Sequence, residues 1–316
     1  MELGYAISSE EHSPAELVRN ARAAEEAGFG FGLISDHIHP WTDAQGHSGF
    51  VWSVLGSIAQ ATETFRIGTG VTCPLIRIHP AIVAHAAATV ACLMPGRFFL
   101  GVGTGANLNE HVLGAKWPAR DERLELLEEA VEVMRLLWQG GYQTHRGKHY
   151  TVESLRIFDL PDEPIEVAVA AMQPQAAELA GRIGDALVNV APKEEIIRKF
   201  EESGGNGKPK YGQITVCYAE SREEAKKIAF ERWPNALVEG SASQELPLPS
   251  DFEELVEGRD ADELDETLTL GPYPDEYLDQ IKEYDRAGYT HVYFHQIGPN
   301  QEAFLAFAQN ELFARV

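Results

Sequence analysis

Basic residues are scarce in this chain. Its 26 lysines and arginines face 49 aspartates and glutamates, a formal charge of −23, so the surface repels phosphate backbones and anionic headgroups. Nucleic acid and membrane are therefore excluded as partners. Cysteine is scarcer still: Cys73, Cys92 and Cys217 are odd in number, scattered and set among apolar neighbours, which excludes a disulfide framework and reads as buried structural thiols. Long apolar runs are also missing. No window approaches the roughly 18–20 apolar residues of a membrane span, and the opening MELGYAISS has no basic stretch leading into an apolar one, so a cytoplasmic protein is expected. Neither G-x-S-x-G nor a phosphate-binding G-x-x-x-x-G-K-S/T occurs, which leaves hydrolase and nucleotide-hydrolysing readings without support.

What is present is a steady alternation. Short β-branched apolar runs exchange with amphipathic stretches of helical period almost from end to end, the mark of βα units around a parallel sheet. The pattern predicts strands at 3–7, 31–35, 65–71, 97–103, 165–171, 186–190, 212–218 and 291–296, with helices at 14–27, 51–61, 80–93, 121–138, 174–183, 193–203, 222–233 and 274–287. Ser13 and Glu16 form a capping box around Pro14, Gly28 follows the last turn, and Ser221 with Glu224 repeats the pattern. Eight strands each followed by a helix close into a (β/α)8 TIM barrel, because right-handed crossovers repeated in one sense curl the sheet on itself; a doubly wound open sheet is the alternative. One domain over residues 1–316 is expected, with insertions at about 140–164, a hairpin-like excursion, and at about 234–272, an acidic stretch containing proline. The second is a candidate lid or substrate wall, or else a surface decoration or dimer contact.

In a barrel, chemistry sits just past the strand ends. The second strand leads into Asp36, His37, Ile38, His39, Pro40 and Trp41, the densest reactive cluster in the chain. His37 stands where a neighbouring carboxylate can fix its tautomer, and histidine is the natural proton partner for oxidising an alcohol or reducing a carbonyl. Two other readings exist: a capping aspartate beside a packed histidine, and zinc on His37 and His39. No Cys, Asp or Glu completes a ligand spacing for the latter, so no metal is expected. Gly101, Gly103 and Ala106 match a dinucleotide fingerprint in letters only, since three strands precede them and 107–119 contains Gly114, Pro118 and two asparagines, poor helix material. A glycine-floored loop beneath a flat ring, with Asn109 at the ring's polar edge, fits better, and a plain tight turn is the bland reading. Met172 and Gln173, just ahead of a helix starting at Pro174, offer free backbone N–H groups to a cofactor phosphate. Lys193, past the sixth strand, reads as a solvated charge.

The segments ISDHIHPW (34–41), IGTGVTCP (67–74), LMPGRFFLGVGTGANLNEH (93–111), AAELAGRIGDALV (176–188) and GYTHVYFHQIGPNQEAF (288–304) resemble the luciferase-like monooxygenase superfamily. Within it they are similar to the deazaflavin-dependent branch named after glucose-6-phosphate dehydrogenase, over essentially the whole chain. The resemblance implies a TIM barrel, a homodimer, coenzyme F420 at the strand C-termini, and hydride transfer to or from a small-molecule substrate. On it, His37 and Trp41 are catalytic beside the deazaflavin, with Glu10 a second acid near the substrate. Asp36, Asn109, Met172, Gln173 and Val190 contact the coenzyme, and Gly70 and Val71 lie behind its ring, joined by a non-prolyl cis peptide.

Two departures from that branch bear on function. Ala106 stands where it carries a glutamate proposed as an acid. A methyl group donates no proton, so Glu10, His37 or Glu110 supplies it, or the substrate needs less acid assistance, or catalysis is impaired. The stretch ELDETLTLGPYP (263–274) is acidic where the sugar-phosphate dehydrogenases hold phosphate with basic residues, so a non-phosphorylated alcohol or carbonyl compound is expected. Three functions stay open: an F420-dependent oxidoreductase, an FMN-dependent luciferase-like monooxygenase or reductase, and a cofactor-binding barrel with impaired catalysis.

Overall fold

A computed structural model describes residues 1–238, 240 and 242–316. All eight expected strands form: β1 (Glu2–Ile7), β2 (Phe31–Ile34), β3 (Arg66–Thr69), β4 (Phe98–Val102), β5 (Glu166–Ala170), β6 (Ala186–Asn189), β7 (Lys210–Cys217) and β8 (His291–Gln296). They pair in parallel in the order β7-β8-β1-β2-β3-β4-β5-β6, and β6 returns to β7. The sheet is a closed TIM barrel, not an open doubly wound one. A short extra strand, Thr269–Leu270, pairs with the end of β7 outside the ring.

The helices lie where the periodicity places them. At Ser13 the carboxylate half of the capping box forms, Glu16 Oε2 accepting the Ser13 N–H at 2.9 Å, and Gly28 takes the left-handed conformation (φ 101°) that ends the helix Pro14–Ala27. At Ser221 only the hydroxyl half forms, Oγ accepting the Glu224 N–H at 3.2 Å. Residues 107–119 are not wholly loop: Asn107–Glu110 makes one α-turn before a 3-10 turn that ends at Gly114. No described helix is long and apolar enough to cross a membrane. Cys73 and Cys217 are buried, as expected, but Cys92 is exposed on the outer face of the helix Pro80–Leu93. Burial pushes the Cys217 thiol up to about 12.

Large rings plug the N-terminal end of the barrel. Phe31, Phe99 and Tyr211 fill it, with Phe99 and Tyr211 stacked at 5.2 Å, and each buried ring stabilises the fold by roughly 1.5–3 kcal/mol. Gly68 makes this possible, since a Cβ there would lie 2.2 Å from the Phe99 ring. Toward the other end the interior residues shrink to Ala6, Ala170 and Val188, and the lumen opens. The barrel lumen thus opens toward the C-terminal mouth.

The two insertions behave differently. The first forms an antiparallel hairpin, Gln143–Arg146 with Thr151–Leu155, docked on the helix Arg120–Leu137 through Glu129, which accepts the His149 and Tyr150 N–H groups. The second crosses the barrel mouth, and its Asn235, Ser243, Phe252, Thr267 and Leu268 line the cavities there.

Candidate active site

Two abutting cavities occupy the mouth, one with about 1450 Å³ and one with about 1030 Å³ of space between protein atoms, open solvent included. His37, Trp41, Gly70, Val190 and Tyr293 line both, so they mark the junction. The larger cavity runs outward past Asp36, Val71, Ala106, Asn109, Met172 and Gln173. The smaller one reaches toward Glu10, Trp233, Thr267 and His295. Glu10, Asp36, His37, Trp41, Gly70, Val71, Asn109, Met172, Gln173 and Val190 each line one cavity or both, while His39 and the exposed Lys193 line neither.

His37 does not lean on Asp36, its neighbour in sequence. Its Nδ1 lies 3.1 Å from Oε1 of Glu10, close enough for charge attraction though the ring is turned away from a straight hydrogen bond. Glu10 is itself held by the hydroxyls of Ser35 (2.6 Å) and Ser8 (3.0 Å), both donating to Oε2. Burial opposes its charge, but His37 and the Ser35 hydroxyl outweigh that and hold the carboxyl below its usual range. A lowered carboxyl in the folded state contributes stability that is complete above the ordinary carboxylate range and is lost as pH falls through the lowered value. The melting temperature is therefore expected to fall more steeply toward acid in the native chain than in Glu10→Gln; parallel curves would contradict the pairing.

Asp36 serves a different cluster. Its Oδ2 accepts the Thr72 hydroxyl at 2.8 Å and its Oδ1 the Arg77 Nη2 at 3.1 Å. Glu110 takes the other side of Arg77, Oε1 from Nε and Oε2 from the backbone N–H, both at 3.2 Å. All three side chains are at most 6% exposed. Burial raises the Glu110 carboxyl despite the guanidinium, but both its oxygens face Arg77, which leaves neither for a substrate. Arg77 is the element that sequence reading missed; its signal was a lone cation in the apolar run CPLIRIHP.

Asn109 acts first on the protein. Its Oδ1 accepts the N–H groups of Ile38 (2.8 Å) and His39 (3.0 Å), two donors that identify this end of the amide as oxygen. The segment carrying His37 is pinned in this way, and the Asn109 Nδ2 stays without a protein partner among the described residues. Trp41 sits edge-on to His37 at 5.0 Å and to Phe252 at 5.3 Å.

The larger cavity fits a flat polar ring. Gly103 closes its floor, where a Cβ would come within 2.8 Å of Val71 Cγ2, and the Gly70–Val71 peptide is cis. Asn189, another residue unnoticed in the sequence, lines the cavity; its Oδ1 accepts the Val190 and Ala191 N–H groups, and its Nδ2 is buried with no partner among the described residues. An orphaned donor of this kind suits a ring carbonyl. Met172 and Val190, unusually exposed apolar residues (39% and 44%), flank the same space. Among the described residues no group of His, Cys, Asp or Glu is arranged to hold a metal.

The luciferase-like monooxygenase family matches residues 1–291. The chain belongs to that family. Within it, the chain is 32% identical over 328 residues to an F420-dependent glucose-6-phosphate dehydrogenase of Beutenbergia cavernae, covering 100% of this chain and 97% of the relative. One of the same description from Segniliparus rotundus is 34% identical over 330 residues, covering 100% and 98%. Among solved structures, an F420-dependent secondary alcohol dehydrogenase in complex with an F420-acetone adduct superposes with a TM-score of 0.91 at 27% identity, over 98% of each chain. The fold is shared as well with the coenzyme F420 dependent tetrahydromethanopterin reductase of Methanopyrus kandleri, TM-score 0.79 at 20% identity over 99% of each chain.

The acidic stretch of this family member, 263–274, turns out to face away from the mouth. Asp262 and Asp265 pair with Lys226, and Glu263 pairs with Arg259. Only Thr267 and Leu268 of that region reach the smaller cavity. Those acids therefore do not line the site, and among the described residues no lysine or arginine lines that cavity.

Proposed function

We propose that this chain is an F420-dependent oxidoreductase, with the larger cavity holding the coenzyme and the smaller one a small, non-phosphorylated alcohol or carbonyl substrate. The observation that carries it is His37, which stands at the junction of the two cavities with Nδ1 on a buried carboxylate and Nε2 left for a ligand. When bound, the coenzyme supplies a hydride acceptor or donor. His37 takes the proton from the substrate hydroxyl as the hydride leaves carbon, or returns it in the reverse direction. Glu10 orients the imidazole and stabilises its protonated form, and Trp41 restricts the reacting group to the junction. Gly70, Val71, Asn109, Asn189, Met172, Gln173 and Val190 form the coenzyme bed. The absence of lysine and arginine from the smaller cavity supports a neutral substrate. The family resemblance supports a cytoplasmic homodimer built from one domain per chain.

Equilibrium dialysis against F420 and against FMN tests the cofactor. Retention of F420 at least tenfold tighter is expected, and preferential retention of FMN would turn the reading toward a flavin enzyme. Because His37 alone is placed to move the proton, Ala106→Glu is expected to change kcat/KM less than about tenfold. A gain of the roughly 10²–10⁴-fold that a missing acid would explain would show the native chain to be an impaired catalyst.

A further inference from the structure

β1 leads into two consecutive glutamates, and the barrel sends them opposite ways. Glu10 and Glu11 lie in the turn that follows β1, and β1 lies between β2 and β8. Glu10 reaches His37, past β2. Glu11 reaches His295 in β8, with Oε2 lying 3.4 Å from Nε2. The two side chains of this second pair are 3% and 4% exposed. Glu11 is fixed through its other oxygen, which accepts the Gly298 N–H at 2.9 Å. Trp233 packs on the imidazole at 4.4 Å between ring centres, edge to face.

His295 lines the smaller cavity, as His37 does. With Nε2 turned to a carboxylate, its remaining nitrogen, Nδ1, has no protein partner among the described residues. In the tautomer that a carboxylate at Nε2 favours, the proton sits on Nε2 and Nδ1 is an acceptor. Nε2 and the Glu11 Oε2 that faces it are buried without a straight hydrogen bond, as at His37, and Nδ1 is left as the acceptor for a ligand donor. Proton transfer at the reacting carbon needs one imidazole, and His37 is that one. The second imidazole is built with the same care, on the far side of β1, and the mechanism leaves it unused.

We propose that His295 is a specificity-determining residue that accepts a hydrogen bond from a second hydroxyl of the substrate. The preferred substrates are then small neutral diols or polyols, or hydroxyketones in the reverse direction, rather than monohydric alcohols. This rests on the hydride-transfer reading above and adds the substrate class. Thr215 and Gln213, which share a hydrogen bond of 3.1 Å on the same wall, give further polar edge to the space between the two imidazoles.

A carbon-matched pair, 2-butanol and 2,3-butanediol, tests this with F420 as acceptor. In the native chain kcat/KM is expected to favour the diol by about tenfold or more, since a site built for a hydroxyl discriminates against the analogue lacking it. In His295→Leu the ratio is expected to fall to about one, and in His295→Gln, which keeps a hydrogen-bonding side chain, to lie between. A native ratio near one, or a ratio unchanged in His295→Leu, overturns the proposal. Because the leucine variant strands Glu11, a second measurement stands on the native chain. The His295 imidazole NMR signals, assigned by their loss in His295→Gln, are expected to shift when 2,3-butanediol, but not 2-butanol, is added to the protein alone and to its complex with reduced F420. No shift at saturating diol overturns the proposal. A diol-specific shift without turnover of either alcohol would defeat the hydride-transfer reading and keep His295 as a hydroxyl anchor. Equal turnover of both would do the reverse.

Discussion

His37→Ala is expected to lower kcat/KM for alcohol oxidation by about 10²–10⁴-fold, the range lost with a positioned general base, while the Kd for F420 changes by no more than a few fold. The reasoning is geometric. Among the described residues His37 is the only imidazole that lines both cavities, and its Nδ1 lies against Glu10. The protein spends no other side chain on the same proton: Glu110 faces Arg77 with both oxygens, and Ala106 has none to offer. Glu10→Gln keeps the shape around the ring but removes the charge that orients it, so a smaller loss than at His37 is expected. Turnover by His37→Ala that matches the native chain across pH would remove histidine from the mechanism.

The largest effect on stability is expected at Arg77. Asp36 and Glu110 are each about 1% exposed and meet on this one guanidinium, so Arg77→Met strands two buried carboxylates. Removing one partner of a buried ion pair destabilises by roughly 3–5 kcal/mol, which corresponds to a drop in Tm of roughly 5–8 °C for a chain of this size. Function should suffer too, because Arg77 Nη2 also approaches the Asp36 carbonyl at 3.4 Å, at the root of the segment that carries His37. The triple variant Asp36→Asn, Arg77→Met, Glu110→Gln removes the stranded charges and is expected to recover most of the lost Tm. Both follow from thermal melts, and an Arg77→Met melt within 1 °C of the native chain would refute the cluster's role.

The barrel was legible because its signals are local. Capping at Ser13 and the helical and two-residue periods lie within single elements, and most bounds in the structure fall within a residue or two of those expected. His37 and Trp41 stood out because a strand end concentrates them. The partners were not legible, because pairing across a closed sheet joins residues far apart in sequence. Asp36 adjoins His37 in the chain yet points to Thr72 and Arg77, while Glu10, from another strand, takes the imidazole. Glu11 and His295 come from the two ends of the chain and meet only because β1 and β8 are neighbours. Asn189 was hidden for a different reason: in the sequence it is simply the last residue of an apolar strand, and only the turn of its amide toward the cavity marks it. The acids of 263–274 misled because their sign could be read and their direction could not.

The most direct test of the central claim is a single turnover. The native chain, loaded with one equivalent of oxidised F420, is mixed with 2,3-butanediol and with the same alcohol deuterated at its hydroxyl-bearing carbons, and the visible absorption of the oxidised coenzyme is followed. The account predicts stoichiometric bleaching that is slower with the deuterated alcohol and nearly abolished in His37→Ala. Coenzyme that binds and stays unbleached with every alcohol offered, or bleaching indifferent to His37, would contradict it.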